Sequence, residues 1–290
     1  MPIDLGIATP AVPRDPRALD DRFGKWAADL GVTVLGTHLG PTPEDVMPHA
    51  AELRERLAGW QLKALREGKE RSDWNAPDTT YEGAAAGFLA ALLDPGRSGE
   101  FLSALSAFVT RVAAAGAANS LAQLTLKLTA PGVPDIYQGT ELWDLSLVDP
   151  DNRRPVDYAR RRRLLAELER AKPAEIMARI DEGLPKLWLV RQTLHLRRRR
   201  PELFGPDGAY RPLAERGERA GHVVAFTRGE RVVTVVPRLL MRLEGSWLDT
   251  TLELPAGRWH NELTGESAHG TVQIADLLAT FPVALLSRDD

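Results

Sequence analysis

The run LVDPDNRRPVDY, from Leu147 to Tyr158, is the least core-like stretch of the chain. It holds three carboxylates, two adjacent arginines and two prolines in twelve residues. Asp149, Asp151 and Asn152 offer acceptors, and Arg153 and Arg154 offer rigid donor forks. Pro150 and Pro155 restrict the backbone, which lowers the entropy cost of ordering such a loop. Sugars are recognised by this mixture of planar polar groups together with an aromatic face, and Tyr137 and Trp143 stand a few residues upstream. The same residues also fit a second description. Asp and Arg could pair with one another and only brace the fold, with Asp151 or Asp157 capping a helix.

A second constellation is KERSDWNAPDTTYE, Lys69 to Glu82, which places Trp74 and Asn75 between two helical patterns. A tryptophan there is either a stacking platform or a lid over an apolar edge. Other chemistries find little support. The six histidines show no metal-ligand spacing, so no metal is expected. No glycine-rich phosphate loop and no GxSxG element occurs. Cysteine is absent, which removes disulfide, zinc-thiolate and thiol-nucleophile chemistry. No cofactor is expected.

The elements that must carry these loops follow from periodicity. The first twenty residues hold four prolines and read as loop or extended arm. A short helix is expected at Asp20–Asp29 and a strand at GVTVLGTHL. Leu53, Leu57, Trp60 and Ala64 recur at helical spacing with charges between them. A helix is expected over Tyr81–Leu93, ended by DPG. A long apolar helical region follows over Phe101–Thr129, with a possible break near Gly116. VPDIYQG reads as a short buried strand leading into the polar loop. Val156–Ala171 and Ala174–Arg200 read as helices, the second split near Gly183-Leu184-Pro185. After Pro201 the pattern turns to strands: a hairpin at HVVAFTRGERVVTVVPRL, another at TTLELPAGRWHNELTG, and a strand, turn and strand in GTVQIADLLATFPVALLSR. Trp247 and Trp259 are expected in the core.

The 290 residues are 43% hydrophobic and 27% charged with a net charge of −3, ordinary for a soluble globular protein and without general attraction to nucleic acid. The arginine runs at 160–163 and 197–200 read as solvated helix faces with a few ion pairs. No uninterrupted apolar run of about 18 residues occurs, so no membrane span is expected. The opening residues lack the pattern of a signal peptide, and the expected location is cytoplasmic.

The segment TAPGVPDIYQGTELWDLSLVDPDNRRPVDYARR resembles the maltooligosyl trehalose synthases, members of the α-amylase superfamily of glycoside hydrolases. QLKALREGKERSDWNAPDTTYE, AAAGAANSLAQLTLKLTAPG, RRRRPELF, GHVVAFTRGERVVTVVPRLL, DTTLELPAGRWHNELTG and LLATFPVALL resemble the same family in the same order, from about Glu52 to Leu286. The resemblance implies a fold class of α/β plus all-β. Residues 51–200 would be a helix-rich C-terminal part of a (β/α)8 barrel, residues 201–290 a β-sandwich called domain C, and residues 1–50 an atypical segment. PDIYQGTE would be the eighth barrel strand and its loop at the catalytic mouth.

The resemblance also implies an activity. The family converts the reducing-end α-1,4 bond of a maltooligosaccharide into an α,α-1,1 bond, in trehalose biosynthesis. The chemistry is retaining, with one carboxylate as nucleophile and another as acid and base, and water must be kept out. In the family that catalytic pair lies upstream of the matched segments. His38 is followed by Leu39 where the family has Asp. No catalytic residue is therefore assigned here. The substrate-binding residues implied are Lys69, Trp74, Asn75, Tyr137, Glu141, Trp143, Asp149, Asp151, Asn152, Arg153 and Arg154.

Three readings follow. The chain is the C-terminal portion of a synthase, inactive alone. Or it is a free-standing maltooligosaccharide- or α-glucan-binding or regulatory relative without catalysis, which keeps part of the sugar site. Or it is a structural partner that docks onto another protein, or onto a second copy as a homo-oligomer, through the strand edges and apolar helix faces that an incomplete barrel leaves uncovered; a complementary upstream barrel subunit is the partner the first reading implies.

Overall fold

A computed structural model of the chain describes residues 50–243 and 245–288. These residues lie in one compact unit. The Asp20–Asp29 helix, the GVTVLGTHL strand and nearly all of segment 1–50 lie outside the described residues.

Helices come first. They are α1 (Ala50–Gly68), α2 (Thr79–Leu92), α3 (Pro95–Thr129), α4 (Tyr158–Glu167), α5 (Pro173–Ala178), α6 (Leu184–Arg199) and the single turn α7 (Pro201–Phe204). Short polar residues start three of them. Asp78 accepts from the Thr80 and Tyr81 amides, Asp94 from Gly96, and Asp157 from Arg160 at 2.8 Å. Pro95 occupies the first turn of α3, where its missing N–H costs nothing. Gly183 separates α5 from α6 with φ +81°; a Cβ there would stand 2.9 Å from the Trp143 amide nitrogen, so only glycine lets α6 start so close to the loop it supports.

Among the described residues nine strands follow: β1 (Tyr210–Leu213), β2 (Glu215–Arg216), β3 (Val223–Arg228), β4 (Val232–Pro237), β5 (Thr251–Glu253), β6 (Trp259–Asn261), β7 (Ser267–Ala268), β8 (Thr271–Gln273) and β9 (Ala284–Ser287). The turn α8 (Ile274–Leu277) lies between the last two. They form two antiparallel sheets, one in the order β1-β3-β4-β9-β6-β7 and one in the order β2-β5-β8. Strand β4, VVTVVP, is buried along its whole length because both faces of the larger sheet are covered. Val233 and Val235 join Leu252, Trp259 and Ile274 in one apolar cluster. Val232 and Val236 join Leu121 and Leu128 of α3 and Leu189 and Leu196 of α6 in another.

Several expectations need correction. VPDIYQG is not a strand: residues 133–137 are irregular, Val133 is 97% exposed, and no strand among the described residues pairs with it. An extended segment without a ladder partner has nothing to fix it as a strand. α3 runs unbroken through Gly116; its non-helical residue is Ser98 (φ −131°, ψ 33°). Gly116 is buried, and packing outweighs the helix penalty of a single glycine. TTLELPAGRWHNELTG is not a hairpin, because β5 joins the smaller sheet and β6 the larger. Pro255 to Gly257 carries the chain from one sheet to the other, so that Leu252 and Trp259 meet inside.

α3 bears on the expectation about membrane spans. It contains an 18-residue window of mean hydropathy 1.5, long and apolar enough to cross a membrane by length and composition. Isolated Ser, Thr and Arg111 interrupt the run, so the apolar character shows only on averaging. Its C-terminal half packs into the core, yet only 17% of that window is buried. The expected strand pair at Val223–Thr227 and Arg231–Val236 is present as β3 and β4, and Trp259 is fully buried.

Candidate functional site

Helix α1 organises the polar loops. Arg56 and Lys63 lie seven residues apart, two turns on one face. Arg56 makes a two-pronged contact with Asp151, Nε to Oδ1 and Nη2 to Oδ2 at 2.9 Å each, and Nη2 also donates to the Leu145 carbonyl. The Leu147 amide donates to Asp151 Oδ2 at 2.6 Å. The Asp151 side chain is only 5% exposed. Burial works against its charge, but the Arg56 fork, the Leu147 N–H and the Arg154 charge outweigh burial and hold the carboxyl below its ordinary range.

The neighbours are looser. Asp149 receives Lys63 Nζ at 3.2 Å and the Arg153 guanidinium. Arg154 reaches the Asp151 carbonyl at 3.2 Å and Glu52 at 3.4 Å, and its side chain is half-exposed. Asn152 and Arg153 face solvent. The residues of the turn therefore divide. Asp151 is consumed by the scaffold, whereas Asn152, Arg153 and Arg154 present polar edges outward. Asp157 caps α4.

Upstream, Arg161 of α4 ties down the PDIYQGTE segment. It donates to Glu141 at 3.0 Å, to the Gly139 carbonyl and to the Asp157 carbonyl. Tyr137 remains 64% exposed. Trp143 is half-buried, with its indole N–H given to the Ile180 carbonyl and Lys186 Nζ 5.6 Å from its ring centroid. Lys186 donates to the Leu142 carbonyl, and burial pushes its pKa down to about 8 against the opposing pull of Asp144 and Glu141.

The second constellation hangs from the far end of α1. Arg66 grips Glu82 with Nε and Nη2 at 2.7 and 2.9 Å, and Ser72 Oγ donates to the same carboxylate. The Arg66 contact first, and Ser72 second, lower the Glu82 pKa to about 2. Asp73 accepts the Asn75 and Ala76 amides, and these backbone donors hold its carboxyl below the usual range. Trp74 is 54% exposed and lies face-on to Arg66, 5.0 Å from Cζ to ring centroid. Lys69 adopts φ +55° at the end of α1 and, like Asn75, is exposed.

The two loops are thus linked through α1. Sequence reasoning missed Arg56, Lys63, Arg66 and Arg161, the cations that position the loops. The signal available was their helical spacing opposite carboxylate-rich loops. Among the described residues no group of three His, Asp or Glu side chains could hold a metal ion.

No family model matches the chain. Two proteins of Mycobacterium tuberculosis, strains CDC 1551 / Oshkosh and H37Rv, each described as a putative maltooligosyl trehalose synthase, are 41% identical to it over 242 residues. That is 83% of this chain and 29% of theirs, so the chain spans under a third of the length of these relatives. Among solved structures, maltooligosyltrehalose synthase from Arthrobacter ramosus superposes with a TM-score of 0.71 at 39% identity, over 85% of this chain and 32% of that one. A further maltooligosyl trehalose synthase at 24% identity shares the fold, with a TM-score of 0.68 over 94% of this chain and 37% of its own. Over most of its length the chain is therefore a homologue of one part of these enzymes.

Proposed function

We propose that this chain is the C-terminal portion of a maltooligosyl trehalose synthase, which supplies binding surface for a maltooligosaccharide and is inactive without an upstream portion carrying the catalytic carboxylates. On this reading residues 51–200 are the last helices and loops of an α-amylase-type barrel, and residues 201–290 are its domain C. The reaction is the conversion of a reducing-end α-1,4 linkage into an α,α-1,1 linkage, in trehalose biosynthesis and in the cytoplasm. Asn152, Arg153, Arg154, Tyr137, Trp74, Lys69 and Asn75 are the groups that meet sugar. Glu141, Trp143, Asp149 and Asp151 act beside them, largely by holding the loops in shape.

The observation that carries the reading is the 41% identity over 83% of the chain against 29% of the relatives. Helix α2 supports it. TTYEGAAAGFLAAL has no buried residue, and Phe88 and, on α3, Phe101 lie open. An apolar surface of this kind fits an element built to be covered by more chain.

The test is a reducing-end assay with maltopentaose. The purified chain is expected to leave reducing ends unchanged, and addition of a polypeptide corresponding to the relatives' upstream part is expected to restore their loss. Activity of the chain alone, or none in the reconstituted mixture, overturns the proposal.

A further inference from the structure

The first half of α3 turns one side inward and leaves the other open. Leu102, Leu105, Val109, Val112 and Gly116 recur at helical spacing, and each is at least partly buried. The opposite side holds Glu100, Ala104, Ala107, Arg111 and Ala114, all exposed. Phe101, 42% exposed, borders it. This stretch lies past the non-helical Ser98, so regular helix spacing applies along it.

The two charges of the open side find no partner among the described residues. Neither Glu100 nor Arg111 makes an ion pair or a side-chain hydrogen bond there. Arg97, three residues before Glu100, stands ahead of the break at Ser98 and does not pair with it. Glu100 and Arg111 are three turns apart on one side, about 16 Å along the axis, too far to meet each other. Opposite charges that stabilise a lone helix stand three or four residues apart.

Their placement is symmetric. The point between Leu105 and Ser106 is midway between Glu100 and Arg111, and also midway between Ala104 and Ala107. Laid antiparallel against a second copy about a twofold axis at that point, each Glu100 meets the Arg111 of the other chain, and the alanines meet at the centre. Their small side chains let the helix axes approach to about 8 Å, the lower end of helix packing. One twofold contact thus makes two ion pairs and opposes no like charges. A nucleic acid or an anionic membrane surface would call for charge of one sign, which this side lacks.

We propose that the open side of α3 between Glu100 and Ala114 pairs antiparallel with the same side of a second copy of this chain. A single helix pair is small for an interface, so the dimer is weak and reversible. This pairing goes beyond the synthase reading and does not depend on it.

The test is sedimentation equilibrium of the purified chain from about 5 to about 300 μM, a range that spans weak dimers. The mass should rise from 31.9 kDa towards twice that value. Glu100→Arg sets like charges against each other at both ends of the contact and should weaken dimerisation by at least about tenfold, as should Arg111→Glu. The double reversal Glu100→Arg/Arg111→Glu should restore it to within about threefold. An equimolar mixture of the two single variants should also associate, through a mixed dimer. Both positions are exposed, so melting temperatures should stay unchanged. A monomer at every concentration overturns the proposal and leaves this side to another part of a longer polypeptide. Single reversals without effect, or a double reversal that stays monomeric, overturn it too.

Discussion

Asp151 and Arg154 sit three residues apart, yet they take opposite parts in the structure. Asp151 is buried under a two-pronged Arg56 contact, while Arg154 is half-exposed. Removing one partner of a buried, charge-assisted pair leaves the other unsatisfied and costs about 2–3 kcal/mol. Arg56→Ala should therefore lower the unfolding free energy by about that amount, measured by urea denaturation. Arg154→Ala should change it by less than ~0.5 kcal/mol while reducing affinity for maltooligosaccharide. A stability loss at Arg154 equal to that at Arg56 would make the whole loop a brace. Acid should also act at the other loop. Glu82 has its pKa depressed from 4.5 to about 2 in the folded chain. Its contribution is thus complete above the unfolded value and fades as pH falls from about 4.5 through about 2. A shift in Trp74 fluorescence, taken as the difference from a Trp74→Phe variant, should appear across that window and vanish in Glu82→Gln.

Among the elements, α2 and the C-terminal half of α3 make a contrast. Both are apolar in composition, but only the latter has buried residues. Leu121 is fully buried against α6 and the sheet, whereas Phe88 is 57% exposed. Truncating Leu121 to alanine should destabilise the chain by about 2–4 kcal/mol, since a cavity is left in a packed layer. Phe88→Ser should leave stability within ~0.5 kcal/mol and reduce binding of a hydrophobic dye such as ANS. A large loss of stability at Phe88 would show that α2 is already covered in the isolated chain. Periodicity made these helices legible, but the starts came out late, at Tyr81 and Phe101 where the helices begin at Thr79 and Pro95, because the capping aspartates Asp78 and Asp94 were not read as starts. Segment 133–139 was not legible, because a short apolar run between proline and glycine fits either a strand or a bound loop until its neighbours are known.

For the whole molecule, the deciding feature is that β4 belongs to two cores at once. Its Val232 and Val236 face the helices, and its Val233 and Val235 face the smaller sheet. A composition change near Pro201 suggests a boundary between two regions, but the apolar layer continues across it. Trp188 donates to the Leu263 carbonyl and Gln192 to the Glu262 carbonyl, so α6 is also stitched to the β region by polar contacts. Thermal unfolding should accordingly be a single transition, with near- and far-ultraviolet circular dichroism changing together. Two separated transitions would show that the helical and β regions unfold independently.

The sequence alone determined the locally encoded features: helix periods, aspartate caps, the β3–β4 pair around its glycine turn, and the polar loop with its resemblance to a sugar-handling enzyme. Each depends on residues a few positions apart, where spacing and side-chain chemistry suffice. Only the tertiary structure decided which carboxylate of that loop is spent on the scaffold, because the Arg56 that consumes Asp151 lies 95 residues away. It likewise decided that β5 and β6 part into opposite sheets. Burial and pairing at long range depend on how the chain returns on itself, and no local pattern records that.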